Sequence, residues 1–120
     1  MWTRLNLENK RIGKPMITLL KSKYIRFNTQ LVRENNLIEN NFVEIFIDKT
    51  GEKIKIGFAF IKENKKGVLK LSKYKDSMFI PASLLLRDLG KEVKDFEITT
   101  FYPVIENYEN NKIFVIEVSK

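Results

Sequence analysis

The residues in this chain best suited to chemistry are cations set along strand-like stretches. Lys21 and Lys23 alternate with Ser22 and Tyr24, Arg26 follows, and Arg33 lies on the next segment. Side chains two apart on a strand share a face, so Lys21, Lys23 and a neighbouring Arg can follow the phosphates of a nucleic-acid backbone. Lys70, Lys73 and Lys75 form a second such set, and Arg87 sits in the Leu-rich segment after it. Phosphate contact asks only for this cationic geometry. Base reading asks for Arg, Asn or Gln in a groove, and Arg26, Asn28 and Gln30 are the candidates. Tyr24, Phe27, Tyr74 and Phe79 interleave with the cations. Phe27 and Phe79 read as core, which leaves Tyr24 and Tyr74 as surfaces on which bases can stack. A lysine-rich face that only keeps the protein solvated and blunts sheet edges would carry the same residues.

The distribution of charge says more than its total of +7. Asn9 to Arg33 holds seven basic residues and no acidic one, and Ile61 to Lys75 holds six against Glu63 alone. From Leu84 to the end, five basic residues face seven acidic ones. The positive charge is segregated, which favours anionic partners.

Several chemistries are removed by composition. There is no histidine and no cysteine in the 120 residues. Ser-His-Asp and Cys-His catalysis, His-ligated metals, thiolate zinc sites and disulfides are therefore excluded. Enzymes built on carboxylates remain, but Asp48 and Glu52 flank a turn and Glu34, Glu39 and Glu44 scatter over other segments, so no acidic pair marks a site. Lys49-Thr50-Gly51 is not a phosphate loop, since glycines do not precede the lysine and a strand follows it. No run approaches the roughly 20 apolar residues that cross a bilayer. The segment MWTRLNLENKR lacks the apolar core of a signal peptide, so a cytoplasmic location without membrane contact is expected.

The elements that must position these residues read as mainly β. Met1–Asn9 has room for a short strand and Asn9–Lys14 for a loop, with a buried strand at Met16–Leu20 after Pro15. Tyr24–Asn28 alternates as a half-buried strand, and Asn28 is a good N-cap for a two-turn helix stopped by Asn35-Asn36. Phe42–Ile47 and Lys53–Ile61 read as a hairpin around Asp48-Lys49-Thr50-Gly51, with Gly51 supplying a positive φ. After the KENKKG joint, strands are expected at Val68–Leu71 and Met78–Ile80, with a polar turn at Ser72–Ser77 between them. A helix should open on Pro81 and stop at Gly90. Strands at Lys94–Tyr102 and Lys112–Val118, with a turn at Glu106–Asn111, complete the chain.

The order β-β-α-β-β occurs twice within this single domain of 1–120, over 16–61 and 67–118. Ile25–Phe27, Asn28 and Thr29–Val32 lie over Met78–Ile80, Pro81 and Ala82–Leu85. Phe42–Phe46 lies over Asp95–Thr99, Ile54–Phe58 over Ile113–Glu117, and Met16–Leu20 over Val68–Leu71. A unit this small cannot bury its own apolar faces, so two are expected to intertwine. A simple meander with two similar helix-hairpins is the alternative.

Ile80-Pro81, Leu84, Arg87 and Leu89-Gly90, followed by a hairpin, resemble the AbrB-like swapped-hairpin transcription regulators. Phe27, Leu31, Arg33, Leu37 and Val43-Glu44-Ile45 carry the likeness in the first half, where Asn28 stands in the place of the family's proline. Two units in one chain are similar to the MraZ-like arrangement, which implies a swapped-hairpin β barrel and DNA binding by tandem units. The reading is then a small β-rich α+β barrel, without enzymatic activity or cofactor. It binds nucleic acid, DNA rather than RNA, through Lys21, Lys23, Arg26, Arg33, Lys70, Lys73, Lys75 and Arg87. The alternative is a small protein-interaction or inhibitor module of the kind carried by phages and mobile elements. Its partner would be acidic or would pair with a sheet edge, and a second copy of the chain is another partner to expect.

Overall fold

In a computed structural model the structure describes residues 1–4 and 13–120. The short strand expected within Met1–Asn9 and most of the loop expected over Asn9–Lys14 lie outside the described residues. The chain is mainly β, as expected. It forms β1 (Ile17–Leu19), β2 (Tyr24–Phe27), α1 (Thr29–Glu34), β3 (Phe42–Asp48), β4 (Lys53–Ile61), β5 (Leu69–Lys70), β6 (Ser72–Tyr74), β7 (Ser77–Pro81), α2 (Ser83–Leu89), β8 (Thr100–Phe101), β9 (Val104–Tyr108) and β10 (Asn111–Ser119). A 3₁₀ turn at Val93–Asp95 lies between α2 and β8. Among the described residues no helix is long and apolar enough to cross a membrane.

The strands make two five-stranded antiparallel sheets, ordered β6-β7-β2-β1-β8 and β5-β3-β4-β10-β9. The first joins hairpin β1–β2 to hairpin β6–β7 through β2 and β7, with Ile25 opposite Ile80. The second joins hairpin β3–β4 to hairpin β9–β10 through β4 and β10, with Phe58 opposite Phe114. Strands of the two chain segments thus interleave in both sheets. Their inner faces meet in one core, where the Phe27 ring packs edge-on against Phe58 and Phe60 at 5.3 and 4.9 Å and Phe60 against Phe114 at 5.6 Å.

Local chemistry explains most of the first half. In β2 the alternating pattern leaves Tyr24 and Arg26 exposed and buries Ile25 and Phe27. Asn28 caps α1 by accepting from the Leu31 amide at 3.0 Å. The same Oδ1 accepts from the Met16 amide at 3.0 Å, and Nδ2 donates to the Lys14 carbonyl at 2.7 Å, so one side chain ties the start of α1 to the chain entering β1. Leu31 and Val32 point into the core, and α1 stops at Asn36, whose φ of 53° breaks the helix. In the β3–β4 turn Gly51 does not take the positive φ expected of it. Asp48 closes the turn instead, accepting from the Thr50 amide at 2.9 Å and the Thr50 hydroxyl at 2.6 Å. Those bonds, with Lys55 and Lys120 beyond them, hold the Asp48 carboxyl below its ordinary pKa.

The second half departs from expectation in five places. Val68–Leu71 is the short β5, which pairs with β3 in the second sheet rather than standing where β1 stands in the first. That position belongs to β6, in the stretch expected as a polar turn. Pro81 ends β7 instead of opening α2: it lies opposite Tyr24, and its nitrogen faces the side on which β6 has already ended, so its missing N–H costs nothing. The strand expected at Lys94–Tyr102 reduces to β8, because Glu92 and Asp95 cap the intervening 3₁₀ turn. Of the turn expected at Glu106–Asn111, Glu106–Tyr108 belong to β9, and Glu109-Asn110, both with positive φ, make a two-residue reversal into β10. The strand that flanks β10 as β3 flanks β4 is therefore Val104–Tyr108, not Asp95–Thr99.

Candidate nucleic-acid interface

The best-formed cationic surface is built where the β1–β2 turn meets α2. Lys21, Ser22 and Lys23 form that turn, all exposed, with the Lys23 amide donating to the Leu20 carbonyl at 3.0 Å. Lys23 has φ 66°, a left-handed conformation lysine adopts at some cost. Its carbonyl accepts from the Ala82 amide at 2.8 Å, which fixes the turn against the first residue before α2. Leu85 and Leu86 bury the inner side of α2 and leave Arg87 outside. The helix then ends in a Schellman motif, with the Gly90 amide on the Arg87 carbonyl at 3.1 Å and the Lys91 amide on the Leu86 carbonyl at 3.0 Å. Gly90 takes φ 66° to allow it, and the chain folds back so that Lys91 and Lys94 come beside Arg87.

The result is an open groove of about 490 Å³. Five cations line it, Lys21, Lys23, Arg87, Lys91 and Lys94, against the single carboxylate of Glu92. Glu92 pairs with Lys94 at 3.2 Å, and the Lys91 ammonium stands 5.5 Å over the Phe96 ring. Among the described residues no ion pair engages Lys21, Lys23 or Arg87. Arg26 extends this surface along the outer face of the first sheet, where its neighbours are Thr18 on β1 and Phe79 on β7. Phe79, expected in the core, is half-buried on this outer face. Tyr24, two residues from Arg26 on the same face, is 43% exposed.

The remaining expected site residues lie elsewhere. The β6–β7 turn is at the opposite end of the same sheet, since Tyr24 pairs with Pro81 and Phe27 with Met78. There Arg33 donates through Nε at 3.0 Å and Nη2 at 2.5 Å to one oxygen of Asp76. Lys73 donates to the Ile38 carbonyl at 2.5 Å and to Asn41 Oδ1 at 2.9 Å, so it fastens the loop between α1 and β3. Lys75 is exposed, with its ammonium 5.7 Å over the Tyr74 ring. Lys70 lies on β5, opposite Phe42, in the second sheet. Of the eight residues, the fold gathers Lys21, Lys23 and Arg87 with Arg26 close by, and commits Arg33 and Lys73 to internal contacts. Lys91 and Lys94 were not among the expected residues. The signal for them was Gly90, which marks a reversal after a helix already carrying Arg87.

No group of three or more Asp or Glu side chains suited to a metal ion occurs among the described residues. Compared with family models, with curated proteins and with solved structures, the chain shows no match to any of the three.

Proposed function

We propose that this protein binds nucleic acid, double-stranded DNA in the first instance, and holds it by its phosphates. The observation that carries the reading is the groove in which five cations meet one carboxylate. Lys21, Lys23 and Arg87 supply the contacts, and Lys91 and Arg26 extend them to either side. Arg26 and Tyr24 on the outer sheet face offer one donor and one aromatic surface for base edges or unpaired bases. The likeness of Ile80-Pro81 and Leu84–Gly90 to AbrB-like regulators points to the same partner and to a role in transcription.

The test is a salt titration of binding to a mixed-sequence duplex and to single-stranded DNA. Three phosphate contacts give a slope of log K against log salt of about −2.7, or roughly 40-fold weaker binding on going from about 50 to 200 mM salt. Reversing Lys21, Lys23 and Arg87 to glutamate removes the binding while the melting curve stays cooperative. Absence of binding to either DNA at low salt refutes the reading.

A second reading, a protein-interaction module without nucleic-acid binding, is favoured by β9. This edge strand exposes Val104, Ile105 and Tyr108 at 63%, 50% and 45%, and its outer backbone edge has no partner strand among the described residues. Such an edge can add a strand from another chain. A protein complex that persists at high salt, with no DNA binding at low salt, is its signature.

A further inference from the structure

Resting on the DNA-binding reading, we infer that the chain engages DNA at only one of two matching ends, and that Asp76 is the residue that silences the other. The two ends share a helix terminus and a hairpin turn leading into a central strand, although the left-handed residue is Lys23 in one turn and Lys75 in the other. Arg33 stands three residues before Asn36 and Arg87 three before Gly90, the left-handed residues that end α1 and α2. Both helices close with the same pair of bonds, since the Asn36 amide reaches the Arg33 carbonyl at 3.3 Å and the Leu37 amide the Val32 carbonyl at 3.0 Å, as Gly90 and Lys91 do in α2. Each arginine also lies at the end of the first sheet where a hairpin turn leads into a central strand. Lys23 is the last residue of its turn before β2, and Asp76 is the last of its turn before β7.

The difference between the ends is the charge at that position. Next to Arg87 the turn supplies a cation, Lys23, and both line the groove. Next to Arg33 the turn supplies a carboxylate, which takes two of the guanidinium N–H groups. Of the other two cations there, Lys73 is spent on the Ile38 carbonyl and Asn41, and Lys75, beside Asp76 in the turn, stands over the Tyr74 ring. A phosphate approaching Arg33 therefore meets an anion already in place, whereas one approaching Arg87 meets only cations and an acid paired to Lys94. The Arg33–Asp76 pair is exposed on both sides, so its removal leaves the fold intact. The site is asymmetric although its scaffold is close to symmetric.

The experiment compares salt titrations on one mixed-sequence duplex for wild type, Arg87→Gln, Arg33→Gln, Asp76→Asn and the double variant Asp76→Asn with Arg33→Gln. Arg87→Gln lowers the slope by about 0.9, one phosphate contact, and Arg33→Gln leaves it unchanged. Asp76→Asn steepens the slope by about 0.9 and tightens binding about fivefold at low salt, the effect of removing one like charge about 4 Å from a phosphate in water. Arg33→Gln in that background cancels the gain. Equal losses from Arg33→Gln and Arg87→Gln, or an Asp76→Asn protein that binds as wild type does, overturn the inference while leaving DNA binding standing. A wild-type protein that binds no DNA at low salt removes the underlying reading and the inference with it.

Discussion

Asn28 is the position at which a single side chain has most to lose. It accepts from the amides of Leu31 and Met16, both at 3.0 Å, and donates to the Lys14 carbonyl at 2.7 Å. In Asn28→Ala the first loss is the helix cap, about 1 kcal/mol. The second is the partly buried Met16 amide, left without its acceptor, for about another 1 kcal/mol. The Lys14 carbonyl is exposed and turns to water at little cost. The sum is about 2 kcal/mol, which for a chain of this length corresponds to a fall of roughly 8 °C in Tm. Asn28→Pro is the sharper variant, because proline stands here in the AbrB-like pattern. The native φ of −71° suits proline, so no backbone strain arises. The substitution still removes the Asn28 amide, which donates to the Met16 carbonyl at 3.1 Å, besides all three side-chain bonds. It therefore costs about 1 kcal/mol more than alanine. Urea unfolding with an unchanged m-value reads both. Asn28→Ala within 0.5 kcal/mol of wild type, or Asn28→Pro more stable than Asn28→Ala, refutes the assignment of Asn28 as a three-way tie.

Two further outcomes follow from side chains already placed. Lys73→Met loses the bonds to Ile38 and Asn41 and lowers stability by about 1 kcal/mol, yet leaves the salt slope of DNA binding unchanged, whereas Lys23→Gln lowers that slope by about 0.9. Denaturant melts and the binding titration together separate the two lysines. The Asp48 carboxyl is held below its ordinary value of 3.8, first by the Thr50 hydroxyl and then by the Thr50 amide. A carboxylate with a depressed folded pKa adds stability that is present above its unfolded pKa and is lost as the pH falls through the folded one. Stability of the wild type should therefore drop more steeply below about pH 4 than that of Thr50→Val, which lacks the hydroxyl, in urea melts run at neutral and acid pH.

The first half of the chain was legible because its signals are local. The alternation of Tyr24–Phe27, the capping side chain of Asn28, the Asn pair that ends α1 and the turn at Asp48–Gly51 each specify structure within a few residues. The second half was not, because there the partner decides. Every residue of β9 is exposed, so no apolar alternation announces a strand, and only its pairing with β10 holds it. Glu109-Asn110 makes the tight turn without glycine. The Lys94–Tyr102 stretch carries Phe96 and Ile98 at strand spacing, yet Ile98 is 66% exposed, and the mutual capping of Glu92 and Asp95 bends the chain before a strand can form.

For the site, the linear pattern identified cations but could not tell which ones the fold consumes. Seven basic residues without an acid between Asn9 and Arg33 suggest one continuous charged surface. In space, Arg33 finds its carboxylate 43 residues away in Asp76, and Lys73 finds its carbonyl 35 residues away in Ile38. The segment that is net acidic along the chain, from Leu84 onward, supplies three of the five groove cations, because several of its acids, Glu97, Glu106 and Glu109 among them, lie outside the groove. One backbone bond, from the Ala82 amide to the Lys23 carbonyl, sets Lys23 beside Arg87 across more than 60 residues of chain. Charge segregation in a sequence therefore measures the supply of cations. The cations available to a phosphate are those whose nearest acid the fold has placed elsewhere, and here that distinction falls between Lys23 and Asp76, each the last residue before a central strand of the first sheet.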